Sequence, residues 1–254
     1  MTGFIYIALI IKVPERLQVS YNDRPLDAGL HLLPMLGSCA LGSFLGGVVS
    51  KKRNLTSQTL IIGSALQLVG VGLAYHFTKE DNSSLRYILG FTAIYGVGVG
   101  LCFAASTIIA AIEARHDDLA AAQGAVAQAR VFGGALGLAI CNVIFNDQLQ
   151  NKLGPGSGSG LSEGLLGQVH KSPTASLSLP EDTMQQVREV YMDAFGNQML
   201  MMIVVAGVAL VTSFASYRSN PSPATDALAY HKEFASRGND TELESTSSVR
   251  SLVR

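Results

Sequence analysis

Long apolar segments separated by shorter polar stretches set the pattern of this chain, and five of them contain no acidic side chain. Each of the five has at least about 20 residues, which is the length that a helix needs to cross the hydrocarbon core of a bilayer. The alternative is a soluble helical core, but five long spans with a single formal charge among them do not favour it. The pattern therefore predicts an all-α transmembrane protein, with full spans at residues 29–50, 57–77, 87–112, 121–146 and 195–217.

The chain starts with a shorter apolar stretch at residues 3–11. A signal peptide is one interpretation, but no basic segment precedes it, and Lys12, Val13 and Pro14 stand where small cleavage-site residues belong. We therefore expect a partial first span over residues 1–13, as in a truncated first helix. The transmembrane domain then covers residues 1–217.

Two polar regions lie outside the predicted spans. Residues 147–194 contain the run GPGSGSG, which is typical of a flexible loop. Pro180 followed by two acidic residues predicts the start of a short amphipathic helix at 181–194. Residues 218–254 are rich in Ser, Thr, Asp and Glu, and this composition predicts a disordered tail.

The densest basic cluster gives the orientation. It consists of Lys51, Lys52 and Arg53, and basic loops stay on the cytoplasmic side. This loop is either a gate between helices or, as we prefer, an anchor that follows the positive-inside rule. Residues 147–194 are then an outer loop, and the C-terminal tail is cytoplasmic. Asn82 begins an Asn-Ser-Ser sequon on the outer side, which makes it a candidate for glycosylation.

Composition narrows the class of protein. Of the 254 residues, 48% are hydrophobic and 15% charged, whereas a soluble domain carries about 25% charged residues. The net charge of −1 does not favour a nucleic-acid partner. The three cysteines lie inside apolar spans and suit packing better than a metal site. We find no nucleophile–base pair and no phosphate loop, so we expect neither an enzyme nor a cofactor.

Arg130 is the candidate functional residue. It is the single formally charged residue of the predicted span 121–146. It lies about 14 Å into that span, close to the membrane midplane. A cation at that depth costs about 2.5–3.5 kcal/mol and usually faces a protein interior or an aqueous cavity. Two interpretations stay open: contact with an anionic substrate or a carboxylate, or a structural tie to backbone carbonyls of another helix.

Other candidates are weaker. Gln67, Gln123 and Gln128 are candidate substrate contacts, although hydrogen bonding between helices is the interpretation that we favour for each. Gln123 shares a helix face with Arg130, whereas Gln128 lies roughly opposite. Small residues spaced by four allow helix backbones to approach closely, and three such pairs predict a tight bundle: Gly42 with Gly46, Gly96 with Gly100, and Gly133 with Gly137.

Three segments resemble the fungal fourteen-span branch of the major facilitator superfamily. They are RLQVSYNDRPLDAGLHLLPMLGS at 16–38, IYGVGVGLCFA at 94–104 and DLAAAQGAVAQARVFGGALG at 118–137. The resemblance implies the six-helix C-terminal half of a proton-coupled antiporter that exports a small, largely apolar drug, toxin or secondary metabolite. It also implies the plasma membrane or the vacuolar membrane, and a partner that is a complementary N-terminal half or a second copy.

The chain departs from that family in two respects. The signature loop G-x-x-x-D-R-x-G-R-R belongs to the N-terminal half, and its echo at residues 46–53 has Ser50 where the acid would stand. Because no full span contains an acid, we expect a proton-coupling carboxylate to come from the other half. The alternative function is a membrane scaffold or regulatory fragment that does not transport.

Overall fold

Helices form every regular element in the part of the chain that the computed structural model describes, which is residues 1–21, 24–53, 55–79, 85–114, 118–153 and 181–217. In chain order they are α1 (Thr2–Tyr21), α2 (Pro25–Leu30), α3 (Leu33–Arg53), α4 (Thr56–Lys79), α5 (Leu85–Glu113), α6 (Leu119–Leu153) and α7 (Glu181–Ala215). The short α2 begins at a proline and leads through a tight turn at His31 into α3.

Large apolar side chains cover the outside of the bundle, including Phe44, Phe132 and Val211, each more than half exposed. Polar side chains such as Gln67 and Gln198 are buried between helices. This arrangement suits a hydrocarbon solvent, in which polar groups must find partners inside the protein. Five helical segments of the described residues are long and apolar enough to cross a membrane. The predicted all-α transmembrane fold is confirmed.

Successive long helices alternate in direction. α4 and α5 run antiparallel, because Cβ atoms added at Gly63 and Gly70 would meet Cys102 and Tyr95, respectively. α6 and α7 are antiparallel as well, because Cys141 contacts Gln198 while Lys152, further along α6, pairs with Asp193. α1 runs parallel to α6. The bundle thus consists of two sets of helices that run in opposite directions. One set is α1, α4 and α6, and the other is α3, α5 and α7.

Glycines bring α3 and α5 into backbone contact. A Cβ atom added at Gly42 would overlap the Val97 carbonyl oxygen, and one at Gly100 would overlap the Cys39 carbonyl oxygen. Ser43 donates a hydrogen bond of 3.2 Å to the Gly100 carbonyl oxygen. Lipid supplies no hydrophobic force between helices, so such close packing holds the pair together. α5 packs in addition against α4 and α6, which places it at the centre of the bundle.

A second close contact joins α1 to α6. Added Cβ atoms would overlap the Arg130 carbonyl oxygen at Gly3, the Ile7 side chain at Gly134 and the Phe4 carbonyl oxygen at Gly137. A Cβ atom added at Gly133 would lie 3.5 Å from the Phe4 nitrogen, which is an ordinary contact. The small face of α6 is therefore covered by the start of α1.

The structure differs from the sequence prediction at three helix ends. The partial span predicted at residues 1–13 continues through Pro14 to Tyr21. The predicted outer loop begins later, because α6 continues to Leu153. The amphipathic segment from Glu181 and the last span form one unbroken helix. The rest of the predicted loop and the predicted tail lie outside the described residues.

The glycine contact between α3 and α5 can be tested by comparing two substitutions on one helix. Gly42→Ala should lower the stability by about 1–3 kcal/mol, because the new methyl group overlaps the Val97 backbone. Gly47→Ala is the control, since no atom lies within 4 Å of its Cβ position. It should leave the thermal unfolding midpoint in detergent unchanged or raised, because alanine favours helix. Equal midpoints for the two variants would contradict the packing.

Candidate functional site

A polar patch on α5 faces the arginine of α6 at a partly exposed position of the bundle. Phe103, Ser106 and Thr107 share one face of α5 because residues three and four apart lie on the same side of a helix. Phe103 lies near the centre of the apolar segment Gly90–Glu113. The patch is therefore close to mid-depth in the membrane.

Arg130 ties α6 to this patch through one nitrogen. Its Nη2 atom donates to the Phe103 carbonyl oxygen at 3.0 Å, to Ser106 Oγ at 2.6 Å and to Thr107 Oγ1 at 2.9 Å. The guanidinium carbon also lies 4.6 Å from the centre of the Phe103 ring, within the range of a cation–π interaction. A charge at this depth is thus hydrogen-bonded within the protein.

The two hydroxyl groups complete the network. Ser106 and Thr107 donate to the Phe103 carbonyl oxygen at 3.2 and 2.8 Å, so their lone pairs are left to accept from Arg130. All three acceptors of Arg130 are neutral groups. The network supplies acceptors to the Nη2 donors of Arg130 without supplying a negative charge.

The structure places the three glutamine candidates in different surroundings. Gln123, two turns before Arg130, donates to the Thr107 carbonyl oxygen at 3.0 Å and joins the same patch. Gln128 is exposed on the other side of α6. Gln67 is buried between α4 and α5, where its Nε2 atom donates to the Gly98 carbonyl oxygen at 3.3 Å. Of the three, only Gln123 is brought next to Arg130.

The remaining sequence candidates lie elsewhere. Lys51, Lys52 and Arg53 form the last turn of α3, and Asn82 lies outside the described residues. The described side chains contain no group of three His, Cys, Asp or Glu residues that could hold a metal ion.

A second polar cluster, on α1, was not predicted from the sequence. Lys12 Nζ lies 2.7 Å from Glu15 Oε2, and the Tyr191 hydroxyl on α7 donates to the same oxygen at 3.1 Å. The Lys12 ammonium also lies 5.9 Å from the centre of the Phe145 ring on α6. Lys12 is only 4% exposed. This ionic cluster therefore connects α1, α6 and α7.

The sequence contains only part of the evidence for this cluster. Lys12 and Glu15 are three residues apart, which places them on one face of a helix. Because the apolar stretch ends at Ile11 and Pro14 follows, these residues suggest a loop instead. The third member, Tyr191, comes from a helix far along the chain, and no local pattern identifies it.

No family model matches this chain, but individual known proteins are similar to it. The MFS-type transporter FPY5 of Fusarium mangiferae is 31% identical over 203 residues, which cover 80% of this chain. The efflux pump DEP3 of Fusarium langsethiae is 31% identical over 150 residues, or 59% of this chain. The MFS-type transporter pgmG of Aspergillus terreus is 34% identical over 128 residues, or 50% of this chain.

The chain is homologous to fungal transporters of the major facilitator superfamily. This relationship confirms the family that the three sequence segments predicted. Together with its five apolar helices, it makes the chain an integral, multi-pass membrane protein. The relatives are named as transporters and pumps rather than as enzymes.

The matched region is a limited part of these relatives. It spans 33% of FPY5, 27% of DEP3 and 22% of pgmG. What a complete major facilitator transporter does is therefore a matter of proposal for this chain.

The ionic cluster can be tested through its charge balance. Glu15→Gln should cost about 3–5 kcal/mol of stability, because it leaves the buried Lys12 cation without its counter-charge. Adding Lys12→Met should recover most of that loss. Tyr191→Phe removes one hydrogen bond and should cost about 1 kcal/mol. Thermal unfolding midpoints of the four proteins give the comparison, and a double variant as unstable as Glu15→Gln would contradict the pairing.

Proposed function

We propose that this chain forms one membrane-embedded half of an exporter for a small, largely apolar compound such as a drug, toxin or secondary metabolite. The observation that carries the proposal is Arg130. It is a cation at mid-depth, tied to α5 through one nitrogen and still partly exposed. A half-buried charge at that depth suits the wall of a polar cavity better than a surface against lipid.

The relatives support the direction of transport. Several are named as efflux pumps, among them DEP3 of Fusarium langsethiae and a probable efflux pump, gsfJ, of Penicillium aethiopicum. In many transporter folds substrate binds near the midplane between repeated halves, and these halves rock against each other. The proposal therefore includes a second bundle that faces Arg130, either a complementary N-terminal half or a second copy of this chain.

The proposal extends to proton coupling and to the membrane. Among the described helices, Glu15 is the acid that we propose this chain contributes, since its carboxylate bridges α1 and α7. Residues of the other bundle would complete the relay. Plasma membrane is the location that we propose for an exporter, with the vacuolar membrane as the alternative.

The competing function is a scaffold that occupies the membrane without transporting. An efflux assay separates the two functions. Yeast cells that lack their own drug pumps are loaded with fluorescein diacetate, which esterases convert to anionic fluorescein, and dye loss is followed with this chain alone or with the N-terminal half of a full-length relative.

We expect energy-dependent efflux only when a second bundle is available, and a protonophore should abolish it. Arg130→Ala at equal protein level should slow that efflux by about tenfold or more, since hydrogen bonds to a charged group contribute about 1.5–3 kcal/mol. Efflux that is absent in every arm favours the scaffold. Robust efflux by the chain when it cannot self-associate would contradict the two-bundle proposal.

A further inference from the structure

The charge of Arg130 is hydrogen-bonded but not neutralised. Its partners are a backbone carbonyl and two hydroxyl groups, and the ion pairs of the described residues do not include it. Asp118, just before α6, and Asp147, within it, lie about 18 and 26 Å away along the helix axis. In a medium of low dielectric constant, such a cation attracts any anion that can reach it.

Part of the guanidinium group is still available. An arginine has five N–H donors, and only the two on Nη2 are used by α5. Nε and Nη1 have no hydrogen-bond partner among the described residues, and neither is sealed away from the surface. Three donors of a charged group therefore remain for a ligand.

The space next to these donors suits an organic molecule. Helical side chains lean toward the N-terminus, so Arg130 extends over the preceding turn, which carries the apolar residues Val126 and Ala127. The Phe103 ring lies against the guanidinium group, and the Gln123 amide adds a polar edge one turn further on. Beside the polar patch, the site thus adds an aromatic ring and apolar residues to a cation, which fits an apolar body that carries an acidic group.

We propose that the exported compound carries an ionised acidic group, a carboxylate or an acidic enol, and that this group docks on Nε and Nη1 of Arg130. This inference rests on the proposed export function and specifies its substrate class. The contact with α5 through Nη2 holds the guanidinium group in place, so the same residue both ties two helices together and receives the ligand. A neutral ester or amide of the same compound would lose the charge–charge attraction.

The test compares two fluorescent probes that differ only in charge, 7-diethylaminocoumarin-3-carboxylic acid and its carboxamide. Binding to the full chain in lipid nanodiscs is followed by fluorescence anisotropy. The acid should bind about tenfold more tightly than the amide, since hydrogen bonds to charged groups commonly contribute that factor or more. Arg130→Gln should abolish this preference, and Arg130→Lys should keep part of it because it retains the charge without the planar group.

Two controls separate the ligand contact from the structural contact. Arg188→Gln removes the same charge from an exposed position on α7 and should leave the preference intact. Ser106→Ala removes an Nη2 partner and should lower stability while the preference for the acid persists. If Arg130→Gln does not fold, the inference is judged from the ratio of acid to amide affinity in the wild type and in Arg130→Lys.

Equal binding of acid and amide to the wild type, or a preference that survives in Arg130→Gln, would overturn the inference whatever the efflux assay shows. The former result would instead fit a carboxylate of the second bundle as the partner of Arg130. A preference for the acid that depends on Arg130, together with no export of either probe when a second bundle is supplied, supports the acid site and contradicts the export function.

Discussion

Polar groups in a membrane interior draw their partners from within the protein, and the contact between Arg130 and α5 is the instance of this constraint on which the proposed site depends. Lipid offers no hydrogen bonds, so a cation at mid-depth has to draw its acceptors from a neighbouring helix. Phe103, Ser106 and Thr107 provide three such acceptors on one face of α5. The position of α6 against the central helix follows from this contact, and so does the site that we propose.

Close packing of the helix backbones allows Arg130 to contact α5. Gly3 lies directly on the Arg130 carbonyl group. Gly134 packs against a side chain of α1, and Gly137 packs against its backbone. On its other sides α5 is fixed by the glycine contact with α3 and by the bond from Gln67 on α4. The Lys12–Glu15–Tyr191 cluster lies about 14 Å further along α1 than Gly3 and holds α1 to α7. One end of α1 is thus joined by small residues and the other by charges.

The helical transmembrane fold could be predicted because lipid imposes a length and an apolar composition that are readable one segment at a time. Arg130 could be singled out for the same reason. Its acceptors could not, since Phe103 and Thr107 lie on another helix and look ordinary in sequence. Helical spacing separated Gln123 from Gln128 but did not reveal Thr107 as the partner of Gln123. Glu15 was missed because Pro14 and three charged residues suggested a loop, whereas packing against α6 and α7 keeps that segment helical.

A double-mutant cycle between Arg130 and Ser106 tests the central contact most directly. Thermal unfolding in detergent is compared for Arg130→Ala, Ser106→Ala and the double variant, with Gln128→Ala replacing Arg130→Ala in a control cycle. We expect a coupling of about 0.5–2 kcal/mol between Arg130 and Ser106, and none between Gln128 and Ser106. Losses for Arg130 and Ser106 that add within about 0.3 kcal/mol would show that the two side chains do not interact, and would contradict this account of the bundle.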